Sequence, residues 1–517
     1  MDKHLNGEAV PEIVETASGK LAGDRKNGIS RFKGIPFAKA PTGPLRWRMP
    51  EPVAPWAGVR DATHFGFVCP QAPTQLETLM GLTVGEPSED CLYLNVWTPA
   101  CDGAKRPVMV WFHGGAFVIG AGSQGVYNGK HLAARDVVVV TVNYRLGAFG
   151  FLNLQDATDG RAPGTGSEGL ADQIMALSWV RANIASFGGD PGNVTIFGES
   201  AGAMSVSSLL AAEPARGLFH KAIAQSGGGH IGYAREKSAR VARAILDALD
   251  IAPETGERAL AVPYGAIIKA MIAILGDARD GEDTRHLGRM PFQPTIDGAI
   301  LAERPIEAIR KGAATNIPLL TGTTKEEWKL FTAAAPQLRL MSRASLEKKL
   351  ARALGAENAP PVLAVYDKGS PFERWNAITT DRVFTLPCWR MLEAQTKVAP
   401  AFGYRFDWKS KLMAGIFGSC HALDIGFVFG THSQRLGGRF FGTGPQADAL
   451  AADMMDAWAA FARTGNPATA STGPWPRYDA RDRQLMCFGD GPPHRLEKPN
   501  ETQRLVWDKV PEKKLGV

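Results

Sequence analysis

A single serine lies between two glycines in the segment Gly198-Glu199-Ser200-Ala201-Gly202. The strand-like run 193–197 precedes this segment, and small residues that can begin a helix follow it. A Gly-x-Ser-x-Gly turn between a strand and a helix holds the serine hydroxyl exposed on a strained backbone. The glycines let strand and helix approach closely because they carry no Cβ. We therefore expect Ser200 to be a nucleophile; an ordinary helix-capping serine is the alternative.

A serine hydroxyl needs a base before it can attack a carbonyl, and that base is usually a histidine. Where the serine lies on such a turn, the chain order is serine, then acid, then histidine. His421 follows the strand-like run 401–408, and the small residues before it leave room for a loop to pass near the serine. His421 is the predicted base, and His432 is a weaker competitor.

The acid that orients the histidine is expected in the loop after the strand-like run 316–324. That loop offers two adjacent carboxylates, Glu326 and Glu327. Spacing does not choose between them, and a glutamate in the first turn of a helix is also common for purely structural reasons.

Negative charge on the reacting carbonyl oxygen requires backbone N–H groups that already point at it. The strand-like run 107–113 ends in His113-Gly114-Gly115-Ala116, a loop that can turn successive N–H groups toward one point. The residue after the nucleophile, Ala201, supplies a further donor. We expect these groups to form an oxyanion hole.

The elements that must position these groups alternate along the chain. Helical patterns such as 168–187 and 447–465 separate six near-continuous apolar runs, which are typical of strands buried on both faces. These runs are 107–113, 136–145, 193–198, 221–227, 316–324 and 401–408. This order predicts one large α/β domain over 1–517 with a mostly parallel sheet. Two segments depart from this alternating pattern of strands and helices. The segment 71–89 is predicted to be a loop, and the segment 336–397 is predicted to be a helical cap.

Composition narrows the class of protein. The 517 residues are 44% hydrophobic, and the net charge of +6 is spread without a long block of one sign. This distribution argues against a nucleic-acid partner. No apolar run reaches the length of a membrane span, and the N-terminus lacks the apolar core of a secretory signal, so we expect a cytoplasmic protein. Six cysteines form no CxxC pair, and we expect buried structural thiols.

Glycine-rich patterns could suggest a nucleotide site. Gly-x-Gly-x-x-Gly occurs three times, beginning at Gly120, Gly164 and Gly227. None shows the full strand, motif and helix context with a carboxylate about 20 residues later. The sequence also contains no GxxxxGK(S/T) and no HExxH motif, so we expect neither a nucleotide nor a metal cofactor.

Several long segments resemble the type-B carboxylesterase/lipase family, and the bacterial carboxylesterases and p-nitrobenzyl esterases within it. The resemblance covers nearly the whole chain, and its most specific segments are EDCLYLNV (89–96) and GDPGNVTIFGESAG (189–202). It also includes 32–47, WFHGGAF (111–117) and the segment around His421.

The resemblance implies an α/β-hydrolase fold and a serine carboxylesterase. It assigns Ser200 as nucleophile, His421 as base and Glu327 as acid. It also assigns the oxyanion donors, which are the N–H groups of Gly115, Ala116 and Ala201. Trp328 departs from the glycine usual after the acid, and Ser167 stands where asparagine is common. Family members often bridge the cysteines that correspond to Cys69 and Cys91.

The expected reaction is hydrolysis of uncharged carboxylic esters through an acyl-enzyme on Ser200. We expect activity to increase with pH as the imidazole loses its proton, at about pH 6 to 7. A non-catalytic binding protein on the same fold is the rival hypothesis, and cleavage of amides, carbamates or polyesters is a further possibility. Phe117, Phe331 and Phe417 suggest an apolar site, although core packing explains them equally well. We expect a monomer or small homo-oligomer.

Overall fold

The computed structural model describes residues 10–73, 84–280, 287–333, 335–434 and 437–516. Its strands, β1 to β15 in chain order, are Val10–Thr16, Gly19–Lys26, Ile29–Pro36, Val59–Asp61, Tyr93–Thr98, Arg106–Phe112, Val138–Val142, Gly189–Glu199, Lys221–Gln225, Tyr233–Ala234, Thr295–Ile296, Leu319–Thr324, Ala401–Phe406, Leu485–Phe488 and His494–Leu496.

Thirteen of these strands form one sheet, in the order β1-β2-β3-β5-β7-β6-β8-β9-β12-β13-β14-β15, with β4 beside β2. The neighbours from β7 through β14 run parallel. The flanking pairs at both ends of the sheet are antiparallel, apart from the parallel pair of β2 and β4. The molecule is therefore an α/β protein with a large, mostly parallel sheet, as the sequence predicted.

Helices cover both faces of this sheet. The α-helices of the described residues are Lys130–Ala133, Gly147–Gly150, Leu154–Ala157, Glu168–Asn183, Ala201–Ala211, Arg235–Ala248, Tyr264–Asp280, Pro305–Arg310, Lys329–Ala333, Arg343–Leu354, Ala359–Ala364, Pro371–Thr380, Leu386–Gln395, Ile425–Val428, Gly438–Phe441, Pro445–Thr464 and Glu501–Trp507.

Side chains of a strand alternate between the two faces of a sheet. Val108 and Val110 of β6 accordingly pack into one apolar cluster, while Met109 and Trp111 pack into the cluster on the opposite face. The central strands β6 and β7 are almost continuously apolar, as expected for strands that are buried on both faces.

All six apolar runs predicted as strands are strands of this sheet. The predicted run 136–145 differs most from the observed strand, because only Val138–Val142 is extended. Asp136 has a φ of 59°, a left-handed conformation that ends the preceding turn. The runs therefore located the strands, while local turns set their ends.

The segment 336–397 is helical, and the helix Leu386–Gln395 also packs on β12 and β13. That it acts as a cap stays a prediction. Residues 74–83 of the predicted loop 71–89 lie outside the described residues. Glu89, at its end, pairs with Arg46 at 2.5 Å.

Cys69 and Cys91 are buried free thiols. A hydrogen bond with Cys69, together with burial, holds the pKa of Cys91 well above its usual value, so the two thiols are neighbours. The disulfide that the resemblance implied is not formed in this structure. Among the described helices, none is long and apolar enough to cross a membrane.

Candidate active site

Ser200 lies in the turn that joins β8 to the helix Ala201–Ala211. Its φ of 57° and ψ of −124° are strained for a non-glycine residue. A Cβ on Gly202 would lie 2.0 Å from the carbonyl oxygen of Phe112, and one on Gly198 would lie 2.5 Å from the backbone of Gly202. The glycines on both sides of Ser200 are therefore required by close backbone contact.

The segment 113–120, which we call the oxyanion loop, passes beside Ser200. A Cβ on Gly114 would lie 3.1 Å from the Cβ of Ser200. Gly115, Ala116 and Phe117 all have a positive φ, of 113°, 54° and 61°. This run of left-handed residues turns the backbone sharply at the end of β6. Ala201 begins its helix, where backbone N–H groups have no partner within the helix.

Side chains from two other segments hold the oxyanion loop. The hydroxyl of Tyr144 donates to the carbonyl of His113 at 2.7 Å, and the two rings stack. The side-chain amide of Gln71 makes two hydrogen bonds with the backbone of Gly120, at 2.7 and 3.0 Å. Burial lowers the pKa of His113 to about 4, so this ring is neutral at neutral pH.

Glu327 and His421 are in contact. Oε2 of Glu327 lies 2.6 Å from Nδ1 of His421. Its Oε1 accepts hydrogen bonds from the hydroxyl of Ser226 at 2.6 Å and from the N–H of Thr324 at 2.7 Å. The carboxylate is completely buried. Three donors thus fix its orientation, and the other candidate acid, Glu326, bonds elsewhere.

The competing histidine, His432, is not part of this group. Its Nε2 lies 2.9 Å from Asp448, and its ring stacks on Phe427.

The second ring nitrogen of His421 is directed toward the end of β8. Nε2 lies 3.1 Å from Oε1 of Glu199, the residue before Ser200. Within the described residues, Nε2 has no hydrogen-bond partner, so it makes no hydrogen bond with the hydroxyl of Ser200. Catalytic hydrogen bonds are often long before substrate binds and tighten in the complex.

Three buried carboxylates surround this imidazole: those of Glu199, Glu327 and Asp424. Burial acts to lower the pKa of His421, but the anions of Glu199 and Glu327 outweigh it and raise this pKa. Burial raises the pKa of Glu199 and, to about 6, that of Asp424. The group therefore retains protons to a higher pH than isolated side chains would.

Sequence reasoning missed Glu199, Ser226 and Asp424. The first lies inside the Gly-x-Ser-x-Gly segment, the second follows β9, and the third lies three residues after His421. Their positions at strand ends and beside predicted site residues were the available signal. Asp424 also accepts hydrogen bonds from the hydroxyl of Tyr404 at 2.9 Å and from Gln225 at 3.0 Å.

Aromatic rings line one side of His421. Phe384 and Phe331 lie 4.6 and 5.2 Å from its ring, and Trp328 packs on both. Phe331 is 43% exposed. Of the three phenylalanines suggested by the sequence, only Phe331 lies here.

The other two, Phe117 and Phe417, are buried. They pack edge-to-face on Phe151 and Phe440. For these two, core packing is the correct interpretation.

The parallel sheet and the strained serine turn at the end of β8 define the α/β-hydrolase class. A sequence model of the carboxylesterase family matches residues 10–507, and the chain belongs to this family. The para-nitrobenzyl esterase of Bacillus subtilis (strain 168) is 40% identical over 92% of this chain and 94% of its own. The phenmedipham hydrolase of Pseudarthrobacter oxydans is 34% identical over 92% and 95%.

Solved structures agree with this assignment. The carboxylesterase EST55 of Geobacillus stearothermophilus at pH 6.2 superposes with a TM-score of 0.85 at 39% identity, over 96% of this chain and 99% of that one. A structure described as a PNB esterase superposes with a TM-score of 0.84 at 37% identity. The chain is therefore a serine carboxylesterase, an enzyme that hydrolyses carboxylic esters.

Proposed function

We propose that Ser200 is the nucleophile, His421 the general base and Glu327 the acid that orients it. The observation that carries this assignment is the 2.6 Å contact between Glu327 and Nδ1 of His421, with Nε2 directed at the foot of the strained Ser200 turn. We also propose the N–H groups of Gly115, Ala116 and Ala201 as oxyanion donors, because their loop and helix start meet beside Ser200.

In the proposed reaction, Oγ of Ser200 attacks the ester carbonyl while its proton passes to Nε2 of His421. The carbonyl oxygen becomes negative, and the oxyanion donors stabilise it. Collapse of the tetrahedral intermediate breaks the bond to the alcohol oxygen, which takes the proton from His421. Water then attacks the acyl-enzyme by the same route, releasing the acid and restoring Ser200. Glu327 keeps the proton of His421 on Nδ1 between steps and stabilises the cation.

We propose uncharged esters with an apolar or aromatic group as substrates. The rings of Phe331 and Phe384 beside His421 support an apolar contact with the reacting ester. One relative is named for para-nitrobenzyl esters, which agrees with an aromatic alcohol group.

Hydrolysis of p-nitrophenyl butyrate by the wild type and by Ser200→Ala tests the assignment. We expect the substitution to lower kcat by about 10⁴-fold or more, since little but binding and oxyanion stabilisation remains. The rival function, a binding protein without activity, predicts no hydrolysis by either protein. A Ser200→Ala variant as active as the wild type would refute the proposed nucleophile.

The remaining parts of the assignment stay predictions. These are a cytoplasmic location, a monomer or small homo-oligomer, no nucleic-acid partner and no cofactor.

A further inference from the structure

We infer that Glu326 is a positioning residue for His421: it holds the backbone of the loop that carries the imidazole. This inference rests on the proposed role of His421 as the base. The two adjacent glutamates after β12 then both position His421, because Glu327 orients its ring while Glu326 fixes the backbone just before it.

Glu326 makes a reciprocal pair of hydrogen bonds with Ser419, two residues before His421. Its backbone N–H donates to the carbonyl of Ser419 at 2.8 Å. Its carboxylate Oε2 accepts from the N–H of Ser419 at 2.9 Å. Both polar groups of one peptide residue in the histidine loop are thus bound to one glutamate.

Two neighbours keep the carboxylate in this position. Nζ of Lys329 lies 2.6 Å from Oε1, so that each oxygen of Glu326 has its own partner. Burial acts to raise the pKa of Glu326, but Lys329 and the N–H of Ser419 outweigh burial and lower it. The group is therefore an anion at neutral pH.

The histidine loop is shaped to receive this carboxylate. Gly418 has a φ of 55°, and a Cβ at this position would lie 2.2 Å from Oε2 of Glu326. The space that a side chain would occupy is filled by the glutamate.

Other hydrogen bonds also hold the backbone just before His421: the hydroxyl of Ser419 donates to the carbonyl of Phe406 at 2.7 Å, and the N–H of Ser410 donates to the carbonyl of Gly418 at 2.9 Å. Between the end of β13 at Phe406 and the helix Ile425–Val428, the described residues form no strand or α-helix. Met413 and Ala414 in this stretch have a positive φ, of 49° and 56°. The direct backbone bond, from the N–H of His421 to the carbonyl of Glu327, is long at 3.3 Å. The two short bonds of Glu326 to the backbone of Ser419, together with the bond from the Ser419 hydroxyl to Phe406, are therefore placed to fix the position of the imidazole.

Two substitutions separate the reach of this side chain from its charge. Glu326→Asp keeps the charge but is one methylene too short to reach the N–H of Ser419. Glu326→Gln loses the charge and the oxygen that faces Lys329, but keeps one oxygen that can accept from the N–H of Ser419. We expect Glu326→Asp to lower kcat by about 10- to 100-fold with KM changed less than about twofold, as a small displacement of a catalytic group does. We expect Glu326→Gln to keep kcat within about threefold.

A second measurement reports on the loop itself. Hydrogen exchange of the peptide amides in 407–424 should be faster in Glu326→Asp than in the wild type, and unchanged in Glu326→Gln. Glu303→Ala is the matched control, because Glu303 pairs with Lys311 at the same 2.6 Å distance but is an exposed pair of another segment. We expect its kcat to equal that of the wild type.

A kcat for Glu326→Asp within about twofold of the wild type would overturn the inference. So would the reverse order, with Glu326→Gln impaired and Glu326→Asp normal, because charge rather than the bond to Ser419 would then matter. Ser200→Ala is measured beside them. Full activity in that variant refutes the proposed function itself, whereas an inactive Ser200→Ala with a normal Glu326→Asp refutes only the role of Glu326.

Discussion

The two halves of the site are built by different means. The nucleophile half, residues 112–120 and 198–204, is built on backbone in direct contact with backbone, as where Gly202 meets Phe112, and the side chains of Tyr144 and Gln71 also hold its loop. The imidazole half, residues 324–329 and 418–424, is held by carboxylate side chains that bind a ring and a loop. Glu327 binds the ring of His421, and Glu326 binds Ser419.

This difference has a physical consequence for substitution. In the nucleophile half, adding a single carbon forces backbone atoms apart, so a substitution there mainly lowers the stability of the fold. In the imidazole half, removing one carboxylate oxygen changes the position or the protonation of the His421 ring, while the fold stays intact. The comparison predicts loss of folding on one side and loss of rate on the other.

Among the variants that test this comparison, the largest effect is expected in the imidazole half, at Glu327. In Glu327→Gln, the hydroxyl of Ser226 and the N–H of Thr324 hold the amide oxygen, so the amide NH₂ group faces Nδ1 of His421. The imidazole proton then moves to Nε2, the wrong tautomer for a base. A related substitution in another serine hydrolase costs about 10⁴ in kcat, and we expect a loss of about 10³- to 10⁴-fold with little change in melting temperature.

Steady-state kinetics with p-nitrophenyl butyrate and thermal melting of the same preparation test this prediction. A Glu327→Gln variant within tenfold of the wild-type kcat would remove Glu327 from the proposed role.

The nucleophile half is tested by a pair of glycines, each second in its helix. A Cβ on Gly202 meets the carbonyl oxygen of Phe112 at 2.0 Å, whereas a Cβ on Gly265 meets nothing within 4 Å. We expect Gly202→Ala to lower the free energy of unfolding by about 3 kcal/mol or more. We expect Gly265→Ala to raise it by up to about 1 kcal/mol, because alanine favours a helix more than glycine does.

Chemical denaturation of both variants measures these changes. Equal stability of Gly202→Ala and Gly265→Ala would show that backbone contact does not hold the nucleophile half.

A smaller effect is expected at Glu199, which joins the two halves. Only neutral imidazole accepts a proton, so kcat/KM falls as pH decreases through the pKa of His421. The anions of Glu199, Glu327 and Asp424 raise this pKa. The acidic limb of the wild type should therefore lie above that of an isolated imidazole. Burial raises the pKa of Glu199, but the charged ring of His421 lowers it, so Glu199 is anionic when it pairs with the imidazolium. Glu199→Gln removes that anion and should move the acidic limb to lower pH.

The pH dependence of kcat/KM for the wild type and for Glu199→Gln tests the predicted direction of this shift. A limb that stays in place or moves to higher pH would contradict the stated contribution of Glu199.

The sequence predicted the nucleophile half more completely than the imidazole half. The Ser200 turn and the oxyanion loop are contiguous segments, so strand, glycines and helix start could be read in order. Glu327 and His421 are 94 residues apart in the chain, and spacing left Glu326 and Glu327 as equal candidates. Only the family resemblance favoured Glu327, because the direction of a side chain at a loop depends on tertiary contacts.

Other parts of the site could not be read from the sequence for the same reason. An aromatic residue near a motif can face the site or the core, and Phe331 does the first while Phe117 does the second. Glu199 is part of the Gly-x-Ser-x-Gly motif, but its contact with Nε2 of His421 could not be predicted, because it depends on a loop from the far end of the chain.

The most direct test of the central claim, that His421 activates the hydroxyl of Ser200, is the rate at which a fluorophosphonate labels the protein, with the labelled peptide identified by mass spectrometry. We predict that the wild type is labelled at Ser200 alone and that His421→Asn, with its fold intact, is labelled at least about 10³-fold more slowly. Label on another residue, or equally fast labelling of Ser200 in His421→Asn, would contradict the claim.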